Sequence, residues 1–419
     1  MWPFRREPVH AVRSAQPYWL LRNGIGDADA SFEGTLECDV AIIGAGITGA
    51  LVADALIATG RHIVMLDGNE PTQGSTAAST ALLQYEIDTN LIELTRLMGA
   101  EHASLAYHAC AKSFGMLEHR FPELLAQSGY QRRESVYVAS NERAVPLLEA
   151  EHAARRAIQL HTEWIDGDEL QRRYGCRRPG AIVSALGAVF DPVRFARGVL
   201  AGCLRHGMEL YARAPVLSIE DGGERVLLRV QGEREVRAKQ VVVAAGYETQ
   251  RFLPRPVVDI DNTFALVTEP LPDVRRANRV PLIWESARPY LYLRGTPDGR
   301  LMVGGEDLPF KNPAARDLLL GRQIARIAKG YEDLFGEALP PIACTWAGSF
   351  ATTPDGLPFV GRAPGADPRL QFALCVGGNG ITYSIHAGHM IRAAMEGRNH
   401  ELDPVFGFAR TLRTYSATG

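Results

Sequence analysis

Residues 39–67 read DVAIIGAGITGALVADALIATGRHIVMLD. Val40-Ala41-Ile42-Ile43 is a short, wholly apolar run, the pattern of a strand buried on both faces of a parallel sheet. From Ile47 to Thr59 the period changes: Ile47, Leu51, Ala55 and Ala58 fall on one helical face, and Gly60 stops the helix. His62 to Leu66 is a second buried strand, which completes a βαβ unit. Between the first strand and the helix stands Gly44-Ala45-Gly46-Ile47-Thr48-Gly49, a GxGxxG pattern in the context that gives it meaning. Gly44 permits a tight turn, Gly46 lets a pyrophosphate approach the backbone, and Gly49 allows close helix–strand packing. The helix N-terminus offers free N–H groups to phosphate. Asp67, followed by Gly68, ends the second strand where a carboxylate meets the ribose hydroxyls of an adenosine. The glycines alone would fit a plain turn; strand, helix and acid together point to a dinucleotide.

Gly74-Ser75-Thr76-Ala77-Ala78-Ser79-Thr80-Ala81, ahead of Leu82, is a run of small side chains that lets backbone approach something large and flat, such as an isoalloxazine ring. A tightly packed helix of small residues is the competing explanation. Further along, Glu93 to Leu125 and Glu149 to Leu160 have helical period, Ser135 to Ala139 reads as a strand, and Asp191-Pro192 caps a helix running to His206. Val216–Glu220 and Arg225–Val230 are strands about a glycine turn, and Val241 to Gly246 is another buried strand ending in glycine. From Phe264 to Val303 strands alternate with turns, an antiparallel meander. Helices follow over Ala314–Phe335 and Ile381–Glu396.

With 419 residues the chain exceeds one simple core, and its 46% hydrophobic and 22% charged composition is that of a globular protein. A net charge of −3 gives no reason to expect nucleic acid, and no apolar window approaches a membrane span. The stretch Met1 to Arg6 does not lead into the apolar core of a signal peptide. Cys38, Cys110, Cys176, Cys203, Cys344 and Cys375 form no CxxC pair, which argues for free thiols in a reducing, cytoplasmic setting. His386 and His389 lie three apart but lack a spaced third ligand, so no metal site is expected.

The glycine motif, the Gly74–Ala81 run, Val241–Gly246, Trp346-Ala347-Gly348, Thr353-Pro354-Asp355-Gly356-Leu357-Pro358, Gly361 and Gly377-Gly378-Asn379-Gly380-Ile381 occur in this order. Together they resemble the D-amino-acid oxidase, glycine oxidase and sarcosine oxidase superfamily of FAD-dependent oxidoreductases, over about residues 37 to 400. The resemblance implies an α/β fold: a discontinuous Rossmann-like FAD-binding domain and a substrate domain with an antiparallel-rich mixed sheet. The corresponding boundaries are an N-terminal arm over 1–36, FAD-binding segments over 37–90, 150–250 and 340–400, substrate segments over 91–149 and 251–339, and a tail over 401–419. It further implies that Val216 lies toward adenine, that Ala244-Ala245-Gly246 runs beside the cofactor, and that Gly348, Asp355 and Gly378–Thr382, including Asn379, Gly380 and Ile381, belong to the flavin site.

The departures are as informative. Where sarcosine oxidases carry the cysteine bonded to flavin, this chain has Gly348, so noncovalent FAD is expected, with Cys344 nearby. Where glycine oxidases carry carboxylate-binding arginines, it has Phe350 and Gly378; where sarcosine oxidases carry an arginine and a lysine, it has Ala81 or Gln84, and Thr382. Either the substrate is not a simple α-amino acid, or a different cation holds its carboxylate. Tyr290, Tyr292 and Arg294 alternate along one strand and share a face, which is read as facing the substrate, against the alternative of interior packing and a structural ion pair. Tyr383 and Phe350 complete the expected pocket.

The reaction expected on this basis is oxidation of a C–N bond of a small amine or amino acid by hydride transfer to flavin N5, giving an imine that hydrolyses. Oxygen or a quinone takes the electrons. Two other readings remain: a flavin-dependent hydroxy-acid dehydrogenase reducing a quinone, and a flavin-binding regulatory protein without turnover. No GxSxG, HExxH or Walker pattern occurs.

Overall fold

The computed structural model describes residues 13–26, 31–273, 279–310 and 312–410. The reading of Met1 to Arg6, part of the arm and the last residues of the 401–419 tail lie outside them.

Two sheets organise the chain. In the first, the strands Leu370–Leu374, Arg234–Val243, Thr35–Ile43, Ile63–Leu66 and Glu209–Tyr211 lie side by side, every pair parallel. Val40 and Ile42 point to one face, where they share a core with Leu51 and Leu56 of helix Ile47–Ile57, Val199 and Leu200 of helix Pro192–Arg205, and Ile391 of helix Gly380–Met395. Ala41 and Ile43 point to the other, against Val216, Val226 and Leu228 of two antiparallel strands. Burial on both faces is why these strands are uniformly apolar.

The second sheet is almost wholly antiparallel. Its order is Arg13–Ser14, Ile342–Thr352, Asp259–Thr268, Leu301–Leu308, Leu291–Gly295, Leu282–Glu285, Gln131–Val138, Gly180–Val189 and Leu82–Gln84, with Glu163–Asp166 beside Gly180–Val189. Leu282–Glu285 and Gln131–Val138 are its parallel pair. The expected meander holds from Leu282 to Leu308, whereas Asp259–Thr268 passes over two neighbours to pair with Leu301–Leu308. Phe264, Leu266, Leu293 and Val303 pack on Ile327 and Leu334 of helix Pro313–Phe335.

Two expectations are corrected by this arrangement. The helical stretch from Glu93 to Leu125 is three helices, Leu91–Met98, Ala100–Arg120 and Pro122–Gln127. Gly99 at φ +85° and Pro122, which has no N–H to donate, interrupt it. The strands Leu82–Gln84, Glu163–Asp166, Gly180–Val189 and Ile342–Thr352 lie in the second sheet, although the boundaries 37–90, 150–250 and 340–400 put them with the first. Conversely, Ala103, Tyr107, Cys110 and Phe114, within 91–149, pack into the core of the first sheet. The N-terminal arm packs by its aromatics, as Pro17-Tyr18-Trp19-Leu20-Leu21 leads one to expect: Tyr18, Trp19 and Leu20 of helix Tyr18–Asn23 are buried.

Candidate functional site

One continuous cleft runs from the carboxyl ends of the parallel strands to the inner face of the second sheet. At its first end the walls are main chain. Gly44 takes φ +109°, and a Cβ on it would lie 2.4 Å from the carbonyl oxygen of Ala244; one on Gly49 would lie 1.9 Å from the oxygen of Gly44. Both positions demand glycine, and the resulting turn exposes the start of helix Ile47–Ile57 to the cleft. Asp67 closes the turn, accepting from Ala45 N at 2.6 Å and Asn69 N at 2.8 Å. Burial raises its carboxyl above the ordinary range. These features fit a dinucleotide: a cradle that any Cβ would fill, amides facing an anion, and a carboxylate with lone pairs left for hydroxyls.

The small-residue run continues the wall. Ser75–Ala78 is one helical turn, Ile47 N donates to Thr76 Oγ1 at 2.9 Å, and Ala81 adopts φ +52°. Its carbonyls are gripped from behind by three side chains. Trp346 Nε1 donates to Ala78 O at 2.9 Å, Trp19 Nε1 to Ser79 O at 2.7 Å, and Arg294 Nη1 to Ala81 O at 2.6 Å and Phe190 O at 3.2 Å. Opposite, Gly377–Gly380 opens helix Gly380–Met395. Gly378 N donates to Asp88 Oδ2 at 2.8 Å and Asn379 Nδ2 to Gln84 O at 2.9 Å, so this loop is bound to the segment leaving the second sheet.

At the other end the walls are side chains. Tyr290 and Tyr292 face the cleft with ring centroids 5.6 Å apart. Tyr292 sits over Gly304 of the neighbouring strand, where a Cβ would meet its hydroxyl at 2.4 Å. Trp284, stacked on Tyr137 at 3.7 Å, and Thr263 join them. Burial pushes both tyrosine hydroxyls well up. Glu86, Asp88 and Asp307 also line this end. Burial raises Glu86, opposed by Arg155, and raises Asp307 to about 6.

Of the residues singled out from sequence, the cleft is lined by Gly44, Gly46, Ile47, Thr48, Asp67, Gly68, Gly74, Ser75, Thr76, Ser79, Thr80, Ala81, Leu82, Val216, Ala244, Ala245 and Gly246. Tyr290, Tyr292, Gly348, Phe350, Gly378, Asn379, Gly380 and Ile381 line it as well. Seven lie outside the lining. Ala45 and Gly49 shape the turn from behind, and Ala77 is buried beneath the run with Trp346. Thr382 turns its hydroxyl back to Asn379 O, and Asp355 pairs with Arg410 at 2.6 Å. Tyr383 is a core residue, its hydroxyl donating to Gly356 O at 2.9 Å and its ring against Phe406.

Arg294 requires the largest correction. It does share the face of Tyr290 and Tyr292, but at its level the cleft floor is closed by the Ser79–Ala81 backbone and by Trp19, over whose ring the guanidinium lies at 5.2 Å. Fully buried without a carboxylate, its pKa falls to about 9. The structural alternative of an ion pair is also replaced, by bonds to carbonyls.

Glu86, Asp88, Asp307, Trp284, Tyr247 and Thr263 were not anticipated. Gly304-Gly305 inside a strand was the available signal, since such a pair marks a bulge or a close approach. Among the described residues no three potential ligands cluster to hold a metal ion, and no helix is long and apolar enough to cross a membrane. His386 contributes instead a ring nitrogen, Nε2, to Ala109 O at 2.7 Å.

A family model described as FAD dependent oxidoreductase (DAO) matches residues 39–394. Gamma-glutamylputrescine oxidoreductase of Escherichia coli (strain K12) is 24% identical over 405 residues, 92% of this chain and 92% of that one. The protein YhfW of Bacillus subtilis (strain 168) is 25% identical over 237 residues, 57% of this chain and 45% of that one, so the match spans less than half of that relative. Among solved structures, glycine oxidase from Geobacillus kaustophilus superposes with a TM-score of 0.72 at 18% identity, covering 89% of this chain and 98% of that one, a likeness of fold. With the glycine turn, the ribose-side carboxylate and the small-residue wall all on one cleft, the chain belongs to the DAO family of FAD-dependent oxidoreductases, and FAD is its cofactor.

Proposed function

We propose that the protein oxidises a carbon–nitrogen single bond of a small amine or amino acid. Bound FAD supplies the acceptor for a hydride leaving the substrate carbon. The nitrogen lone pair completes a C=N bond as that hydride departs, and water then hydrolyses the imine to a carbonyl compound and an amine or ammonia. Oxygen or a quinone reoxidises the cofactor.

The observation that carries this reading is the composition of the side-chain end of the cleft. Tyr290, Tyr292 and Trp284 form an enclosed aromatic wall able to orient a donor carbon and exclude water, and among the described residues no histidine lines the cleft. A serine– or cysteine–histidine couple for acyl transfer is therefore missing from its lining, whereas C–N oxidation needs orientation more than a nucleophile. Relatives named for glycine and gamma-glutamylputrescine favour nitrogen-bearing substrates. Noncovalent attachment of FAD is supported by Gly348 on the cleft wall and by the absence of Cys344 from the lining, while burial lifts the Cys375 thiol, which does line it, to about 12. In this reading the FAD contacts come from the 37–90, 150–250 and 340–400 segments, Gly246 and Tyr247 among them.

The test is anaerobic mixing of the flavin-loaded protein with amines, N-methylated and D-amino acids, and hydroxy acids, followed by reoxidation with oxygen or a quinone. Loss of the oxidised-flavin band is expected with nitrogen compounds. Bleaching by hydroxy acids alone would replace the reading.

A further inference from the structure

The enclosed end of the cleft carries a charge pattern opposite to the one a substrate carboxylate requires. Three carboxylates line it. Two are engaged: Glu86 faces the buried Arg155 at 3.8 Å, and Asp88 Oδ2 accepts from Gly378 N. Glu86 also keeps a buried oxygen, Oε2, without a hydrogen-bond partner, but it has the Arg155 charge beside it, whereas Asp307 has no cation in such contact among the described residues. Its Oδ1 is closed off from solvent and has no hydrogen-bond partner, and among the described residues it makes no ion pair.

Its orientation is built into the sheet. Between the strands Asp259–Thr268 and Leu301–Leu308 the pairing jumps from Phe264 opposite Gly305 to Asn262 opposite Leu308. Glu306 and Asp307 therefore share the place across from Thr263, a bulge in which Glu306 takes φ +57°. The extra residue aims the Asp307 carboxyl into the cleft beside Thr263, whose hydroxyl is 3.4 Å from that of Tyr292.

No cation of the cleft lining pairs with Asp307 among the described residues, and Arg288 lowers the pKa of its carboxyl only from the rim. Arg251 is the one arginine, lysine or histidine of the described residues that lines the cleft, and it is paired with Glu248 at 2.9 Å on the segment after Gly246. Arg288 is exposed at the rim, its guanidinium 4.8 Å above the Tyr290 ring and bonded to Asp88 O at 3.0 Å. A substrate carboxylate beside Asp307 would bring two like charges together out of water, which is strongly disfavoured. An ammonium would satisfy the orphaned Oδ1 and meet the faces of Tyr290, Tyr292 and Trp284, which attract cations.

Resting on the C–N oxidation reading, we propose that Asp307 selects a cationic amine without an α-carboxylate, and that the substrate is a primary or secondary amine and not an α-amino acid. The carboxylate is the counter-ion on binding and then accepts one ammonium proton, which frees the nitrogen lone pair before the hydride leaves, and the aromatic rings hold the apolar body.

The experiment uses two ligands of the same shape and opposite charge, neither oxidisable at the carbon bearing the charged group: tert-butylammonium and pivalate. Each is titrated into the flavin-loaded protein, and the shift of the flavin absorption is followed. The wild type is expected to bind tert-butylammonium at least about tenfold more tightly than pivalate, and Asp307→Asn to bring the two within about threefold while retaining its flavin. Equal or tighter binding of pivalate by the wild type overturns the proposal whether or not the variant folds, as does an Asp307→Asn protein that keeps the preference. Preference for the cation together with no bleaching by any amine would instead leave the cation site standing and remove the C–N oxidation reading beneath it.

Discussion

At one end of the cleft Gly44, Gly46 and Gly377–Gly380 present main chain; at the other Tyr290, Tyr292, Trp284 and Asp307 present side chains. The first end recognises something common to every member of a cofactor class, phosphate and ribose, with groups every residue possesses. What it demands of sequence is the removal of Cβ atoms, and this leaves a pattern of glycines. The second end must distinguish one small molecule from another, and does so with functional groups delivered from three separate strands and the segments between them. The two ends should therefore respond differently to substitution, acid and probe ligands.

The largest effect is expected from Gly44→Ala. The new Cβ would meet Ala244 O at 2.4 Å in a residue at φ +109°, a conformation that costs an ordinary side chain about 1–3 kcal/mol before the clash is counted. The turn must open, and with it the amides aimed at the pyrophosphate. Affinity for FAD should fall more than about a hundredfold, read as the flavin-to-protein absorbance ratio after gel filtration. A variant that retains full flavin would mean that main chain at this end is not what holds the cofactor.

Acid should separate the ends by sign. Asp307 titrates near 6 in the folded protein because burial disfavours its charge, against about 3.9 for a free aspartate. Between those values the native state holds a proton that the unfolded chain releases, so this group adds stability as pH falls. His386, on the helix that begins at the main-chain end, behaves oppositely: burial lowers it to about 4, the unfolded chain takes up the proton first, and stability is lost as pH falls from about 6.5 to 4. Each contribution is about 3 kcal/mol, and in the wild type they offset one another. Asp307→Asn should therefore lose markedly more stability than wild type between pH 6.5 and 4, and His386→Gln markedly less. Urea midpoints at the two pH values check this; parallel losses in all three proteins would show that neither group is held as described.

The same contrast governs what could be read from the sequence. The βαβ unit, the glycine turn and Asp67 were legible because burial on both faces forces apolar strands and a close approach forces glycine. Gly180–Val189 was not, since a strand apolar in both phases and rich in alanine, with Ala181, Ala185 and Ala188, has neither helical nor alternating period. Alternation along Tyr290–Arg294 correctly put three side chains on one face, yet it says nothing about what lies above each of them. Two positions separate a tyrosine in the cleft from an arginine clamped beneath the Ser79–Ala81 backbone. Asp307 was hidden for a related reason: a bulge breaks the alternation that would have assigned it a face.

Tyr383 offers the smallest and sharpest test, because it was expected in the pocket and lies in the core. Tyr383→Phe keeps the ring against Phe406 and removes one hydrogen bond, to Gly356 O. Gly356 abuts Ile87 and Thr89, which flank Asp88 at the side-chain end, so a route to the substrate exists. The loop is held by other bonds, however: Asp355 to Arg410 and to Leu357 N, and Thr353 Oγ1 to Leu357 O. Losing one bond in such a network should cost about 1 kcal/mol of stability and leave KM and flavin content unchanged. A KM altered severalfold at constant stability would place this tyrosine's influence in the substrate end and blur the boundary between the two ends of the cleft.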